Sequence, residues 1–251
     1  MRADSTGMIL SLGALVILGV IVGVAVAAIA ASYRTDRRFW PGPRCRGCSH
    51  DAPLRACANV FICSWYPHRQ HSAPPRMLWV GVVTAAIFGG LGLRYAAEPA
   101  ILLVSLVEAT LLLLLLVIDI EVRLVPTPVV GLLVAVALAS ANLWPALGLR
   151  DALLGGGVGF ASFAALIGLA RLIFGAGALG VGDATLALAI GCITGYPLIV
   201  DALVLGIIMG GTAGSVLLLL KRVGLRQTIP YGPFLITAAI YVLTYGQTMR
   251  P

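Results

Sequence analysis

The feature that most constrains this chain is its run of eight almost uncharged apolar blocks, most of them about 15 to 24 residues long, the length that spans a bilayer. Within a block the apolar residues are continuous rather than alternating. That pattern predicts helices, since a lipid-exposed backbone must satisfy its own hydrogen bonds. The expected spans are Met8–Ala31, Met77–Tyr95, Ala100–Asp119, Pro128–Leu147, Ala152–Phe174, Asp183–Pro197, Ala202–Leu220 and Pro233–Tyr245. A mean hydropathy of +1.02, with 60% apolar and 11% charged residues, excludes an ordinary soluble domain. The expected fold is all-α: a polytopic membrane protein of about eight transmembrane helices. Three parts are expected: residues 1–32 as a first helix, 33–76 as a Cys- and His-containing loop, and 77–251 as a seven-helix domain.

The first block ends near Ala28-Ile29-Ala30, which resembles a signal-peptidase site. However, it is long for a signal peptide, and only Arg2, set against Asp4, charges its front. Arg34, Arg37 and Arg38 follow it, which favours a retained helix with its N-terminus outside. With eight spans, that orientation puts thirteen of the seventeen basic residues in inner loops. The formal charge of +7 then reflects basic loops beside anionic lipid, and no nucleic-acid partner is expected. The same orientation places Asp119 and Asp183 at one face, the cytoplasmic one.

These two acids carry the chemistry. Asp119 closes the third block, and Pro126 prevents simple helical continuation. Asp183 opens the sixth block after the turn Gly180-Val181-Gly182. Glycines there allow close backbone approach or angles closed to other residues. Two carboxylates a few ångströms apart share a proton, so one can activate water while the other protonates a carbonyl oxygen. The structural alternative is that each acid marks a helix end. Asp183 fits that as a cap, whereas acids are disfavoured near helix C-termini, where Asp119 lies.

Three segments in order, Asp119 to Pro126, Gly180-Val181-Gly182-Asp183, and Ile229-Pro230-Tyr231-Gly232-Pro233-Phe234, resemble the motifs of the type IV prepilin peptidases, membrane aspartyl proteases of the GxGD class. The resemblance covers the chain from Arg44 onward. It implies that Asp119 and Asp183 are the catalytic acids, with Gly180, Gly182, Pro230 and Gly232 in the active-site loops. It also implies a pilin or pseudopilin precursor as substrate, cut at the cytoplasmic face between a short basic leader ending in glycine and a hydrophobic helix. Many bacterial members also methylate the new N-terminus with S-adenosylmethionine. Thr127 stands where the family has Asp or Asn, and Thr185 where a lysine is common. The presenilin-like proteases share GxGD, but Pro145-Ala146-Leu147 lies before it rather than after.

Cys45-Arg46-Gly47-Cys48, with Cys57 and Cys63, has the look of a structural zinc clip, and His50, His68 or His71 could replace a thiolate. Free thiols in a reducing loop are the alternative. Cys192 lies inside a span and reads as a packing residue. Glu108 lies eleven residues before Asp119 and on its face of the helix. It reads as a bundle-facing acid paired with a neighbour, or as a polar group supporting the site. Gly155-Gly156-Gly157 and Gly206, Gly210 and Gly214 read as helix-packing faces. The competing function is a transporter or proton-coupled channel, which boundary acids and broken helices also suit; an inactive homologue acting in assembly is a third.

Overall fold

The computed structural model describes residues 3–36, 75–145, 147–174, 180–220 and 231–245. Every regular element among them is helical. In chain order the α-helices are α1 (Ala3–Asp36), α2 (Pro75–Tyr95), α3 (Pro99–Val122), α4 (Thr127–Ser140), α5 (Leu149–Phe174), α6 (Val181–Thr194), α7 (Leu198–Leu219) and α8 (Gly232–Tyr245). A short 3-10 turn, Ala141–Leu143, follows α4. Each apolar block is therefore one helix, and the all-α membrane fold stands. Five helices, α1, α2, α3, α5 and α7, are long and apolar enough to cross a membrane. Three others, α4, α6 and α8, have 14 residues each. At that length they span only about 21 Å, against a hydrocarbon core of about 30 Å.

The chain divides into two compact units, Met1–Glu98 and Pro99–Pro251. In the first, α1 and α2 meet along glycines. A Cβ on Gly23 would lie 2.7 Å from the Gly81 Cα, and one on Gly19 would lie 2.7 Å from the Ala85 Cα. Small residues let these two backbones touch, which replaces the hydrophobic driving force that lipid cannot supply.

The second unit repeats that device twice. On α5, Gly155, Gly156 and Gly159 press on Gly191, Cys192 and Ala187 of α6, while Gly157 faces away from any neighbour. Cys192 is a buried free thiol in this seam, the packing role its position suggested. On α7, Gly206 lies against Leu235, and Gly210 against Tyr231 and Phe234. At the centre α4 packs on α3 and α6, and α8 packs on α3, α6 and α7. Leu112, Leu133, Ile190 and Ile236 are fully buried there.

Several boundaries differ from the sequence expectation: α1 runs Ala3–Asp36 rather than Met8–Ala31, and α7 begins at Leu198 rather than Ala202. The helix α4 stops at Ser140 rather than near Leu147, so the link to α5 is longer than a four-residue hairpin. The 3-10 turn ends the helix, and the Asn142 side chain then accepts a hydrogen bond from Leu149 N–H at 3.2 Å, capping α5. The helix α6 stops at Thr194 because Gly195 takes φ 66°, a left-handed conformation open to glycine.

Candidate active site

Asp119 lies in the last turn of α3, and its main-chain carbonyl accepts the Arg123 N–H at 2.9 Å. Arg123 has φ 54°, which turns the chain out of the helix. Pro126 is extended, with φ −69° and ψ 114°, and caps α4 through its carbonyl, which accepts from Val129 and Val130. The acid is thus held at a helix exit by its own backbone. Its side chain is 5% exposed, and Oδ2 is buried with no hydrogen-bond partner among the described residues.

That orphaned oxygen faces Gly232. A Cβ built on Gly232 would lie 2.5 Å from Asp119 Oδ2 and 3.1 Å from Cγ. Any other residue would intrude on the carboxyl, so the first residue of α8 is glycine for space. The third sequence segment therefore reaches the first at one atom.

Asp183 sits three residues after Gly180, the residue that caps α6. Its carboxyl accepts a hydrogen bond from the Gly180 backbone, a reciprocal cap that satisfies one helix-start donor. The capping reading of Asp183 is thus partly right, but it is not the whole account, because the charge of Asp119 also bears on Asp183. The turn before it needs glycine for proximity rather than for unusual angles. Gly180 is plainly extended at φ −81° and ψ 140°, whereas a Cβ on Gly182 would press on Val125 at 3.1 Å. Val125 belongs to the turn that follows Asp119, so the two acidic segments are wedged together through it. Sequence reading missed Val125, since no local pattern marks an apolar residue that packs across a turn.

Asp119 lies near enough for its charge to bear on Asp183, and both acids stand beside helix starts of the second unit. Asp183 lies in the first turn of α6, and Asp119 touches the first residue of α8. Helix N-termini carry partial positive charge, which favours an ionised carboxylate or a developing oxyanion there. The Arg123 charge also acts on Asp119. Nearby, Tyr231 packs on Phe163 of α5 and Phe234 of α8, with ring centroids 6.3 and 6.4 Å apart, and its hydroxyl reaches the Ile207 carbonyl at 3.3 Å. These rings fasten the start of α8 to α5 and α7. Of the other expected site residues, Pro230 lies outside the described residues. So do Cys45, Cys48, Cys57 and Cys63, with the histidines of the same loop.

A sequence profile of the type IV leader peptidase family matches residues 106–215, which include Asp119, Gly180, Gly182 and Asp183. The chain is similar to the "Prepilin leader peptidase/N-methyltransferase" of Stutzerimonas stutzeri, 26% identical over 218 residues, covering 83% of this chain and 73% of that protein. It is similar to the protein of the same name from Bacillus subtilis, 26% identical over 172 residues, covering 67% of this chain and 65% of the other. For the Myxococcus xanthus protein of that name the identity is 29% over 218 residues, covering 82% and 62%. No solved structure matches the chain.

Proposed function

We propose that this chain is a type IV leader peptidase: a membrane aspartyl endopeptidase that removes the leader from prepilin-like precursors, with Asp119 and Asp183 as the acting pair, a reading supported by the family profile over residues 106–215. One observation carries this reading. Gly232 lies against the Asp119 carboxyl, Gly182 lies against Val125 of the turn that follows Asp119, and the Asp119 charge bears on Asp183.

The chemistry follows from the pair. One carboxylate takes a proton from water as the water attacks the scissile carbonyl. The protonated partner donates to the carbonyl oxygen, and the tetrahedral intermediate forms. The starts of α6 and α8 favour the negative charge that builds up in this step. Collapse expels the new amine, which takes a proton back from the pair. No covalent link to the protein is needed.

The substrate is a pilin or pseudopilin precursor with a basic leader, a glycine before the cut and an apolar helix after it. Cleavage takes place at the cytoplasmic face, the side to which the basic loops assign both acids. The protein lies in the inner membrane, among lipids whose anionic headgroups suit those loops. The relatives' printed names include N-methyltransferase. Methylation of the new N-terminus from S-adenosylmethionine is a second activity proposed on that basis alone, and no described residue is assigned to the cofactor. A structural zinc on Cys45, Cys48, Cys57 and Cys63 is proposed from ligand spacing alone. A transporter is less well supported, because both acids sit at helix ends rather than mid-bundle.

The test is co-expression with a prepilin. Asp119→Ala or Asp183→Ala should leave the precursor uncut while the protein remains in the membrane fraction. Full processing by either variant would exclude the pair.

A further inference from the structure

The start of α8 brings Gly232 to the Asp119 carboxyl, yet the helix ties down that end only weakly. Its second residue is Pro233, which has no N–H to give. The residue before the helix is Tyr231, whose side chain is not one of the short polar groups that cap helix starts. The Tyr231 carbonyl does accept from Phe234 and Leu235 N–H, at 3.2 and 3.3 Å, the long end of the range for such bonds. Something other than capping must fix where this end stands.

The Tyr231 ring supplies that hold. Gly210 of α7 leaves a hollow beneath it: a Cβ at 210 would lie 3.1 Å from both Cε2 and Cζ of the ring, and 3.3 Å from Phe234 Cδ2. One turn earlier, Gly206 makes the same kind of room for Leu235, whose Cδ2 would lie 2.9 Å from an added Cβ. The ring also meets Phe163 of α5, a side chain that is itself buried. Its planes are inclined by 58° to Phe163 and by 67° to Phe234, the tilted and edge-on arrangements that aromatic pairs favour. The hydroxyl stands 3.3 Å from the Ile207 carbonyl, long for an O–H···O bond. The shape of the ring, rather than its hydroxyl, therefore makes the seat.

We infer that Tyr231 is a positioning residue: its ring, seated on α5 and α7, fixes the start of α8 and so sets the gap between Gly232 and the Asp119 carboxyl. This rests on the reading of Asp119 as a catalytic acid. Tyr231 and Gly232 share a peptide bond, so a ring that leaves its seat carries the glycine with it. The gap has no slack inward, since a Cβ on Gly232 would already lie 2.5 Å from Oδ2. Movement outward removes the wall against which the carboxyl rests. Either way a reacting group is displaced, and about 1 Å of misplacement can cost about 10²-fold in rate.

The test measures kcat and KM for leader cleavage in Tyr231→Phe, Tyr231→Leu, Gly210→Ala and the Tyr231→Leu/Gly210→Ala double variant, with thermal unfolding alongside. Tyr231→Leu, which removes the ring, should lower kcat by about 10- to 100-fold with KM unchanged. Tyr231→Phe keeps the ring and should stay within about 3-fold of the parent. Gly210→Ala presses a methyl group on the ring and should lower kcat by about 3- to 10-fold. The double variant should be no worse than Tyr231→Leu alone, because no ring is left to displace. If Tyr231→Leu loses its fold, Gly210→Ala, which adds only a methyl group, carries the test.

A second readout does not need peptidase activity. In Asp119→Cys/Gly232→Cys the sulfur of residue 119 takes the Cγ position, 3.1 Å from a Cβ at 232, within disulfide reach. Peptide mapping during mild oxidation should find the 119–232 link, formed several-fold more slowly with Tyr231→Leu or Gly210→Ala and at the parental rate with Tyr231→Phe. A parent that cuts no prepilin but still shows this dependence would sink the functional reading and leave the seat standing. The seat is overturned if a folded Tyr231→Leu, or Gly210→Ala in its place, keeps parental kcat and parental crosslinking. It is equally overturned if Tyr231→Phe falls as far as Tyr231→Leu.

Discussion

Replacing Gly232 with alanine puts one methyl group against the Asp119 carboxyl. The added Cβ would lie 2.5 Å from Oδ2 and 3.1 Å from Cγ, while ordinary contacts begin at 3.4 Å, so the oxygen must retreat by about 0.9 Å. What yields is the tip of a buried side chain, not backbone, so the cost to the fold should lie near the low end of overpacking, about 1 kcal/mol. The cost to catalysis is large, because a shift of about 1 Å at a reacting group is worth about 10²-fold. Gly232→Ala should therefore unfold at close to the parental temperature yet cleave prepilin with kcat lowered by about 30- to 100-fold and KM nearly unchanged. The assay is steady-state cleavage of a purified prepilin in detergent, paired with a thermal melt. A variant that is stable and within about 3-fold of parental kcat would refute the reasoning, since Asp119 would then tolerate displacement that no general acid or base should.

Other outcomes follow from the same contacts. Gly182→Ala meets only Val125, at 3.1 and 3.2 Å, so a few tenths of an ångström of give suffices and kcat should fall by less than about 10-fold in the same assay. Gly155→Ala sets a methyl group against the Gly191 carbonyl and Gly195 backbone, which cannot swing aside, so it should lower stability by about 1–3 kcal/mol, read as a reduced melting temperature. A pair working with one shared proton gives a bell-shaped pH profile for kcat/KM: activity falls in acid as the base is protonated, and in alkali as the donor ionises. Chelation of any zinc on the cysteine loop should lower the metal content found by elemental analysis and leave leader cleavage chemically possible, because a structural metal does not cut the peptide.

The helices were legible because bilayer-length apolar blocks have few other folds open to them. Met77–Tyr95 and Ala152–Phe174 became α2 and α5 with ends moved by three residues or fewer. The end of α4 was misread: Asn142 and Pro145 interrupt Ala141 to Leu147, and the backbone tightens there into a 3-10 turn. The two acids and Gly232 could be named from residue type and order. The sequence did not reveal that Gly232 touches Asp119 or that Val125 wedges against Gly182. Those contacts join residues from separate segments of the chain, and helix periodicity carries no information about which neighbour a face will meet.

The central claim is that Asp119 and Asp183 cut a prepilin together, and the most direct measurement is the product's N-terminal mass after incubation with purified protein. Parent protein should release a chain beginning just after the leader glycine, and Asp119→Asn and Asp183→Asn should each leave the precursor at full mass. Cleavage at that bond by either variant at the parental rate would contradict the account.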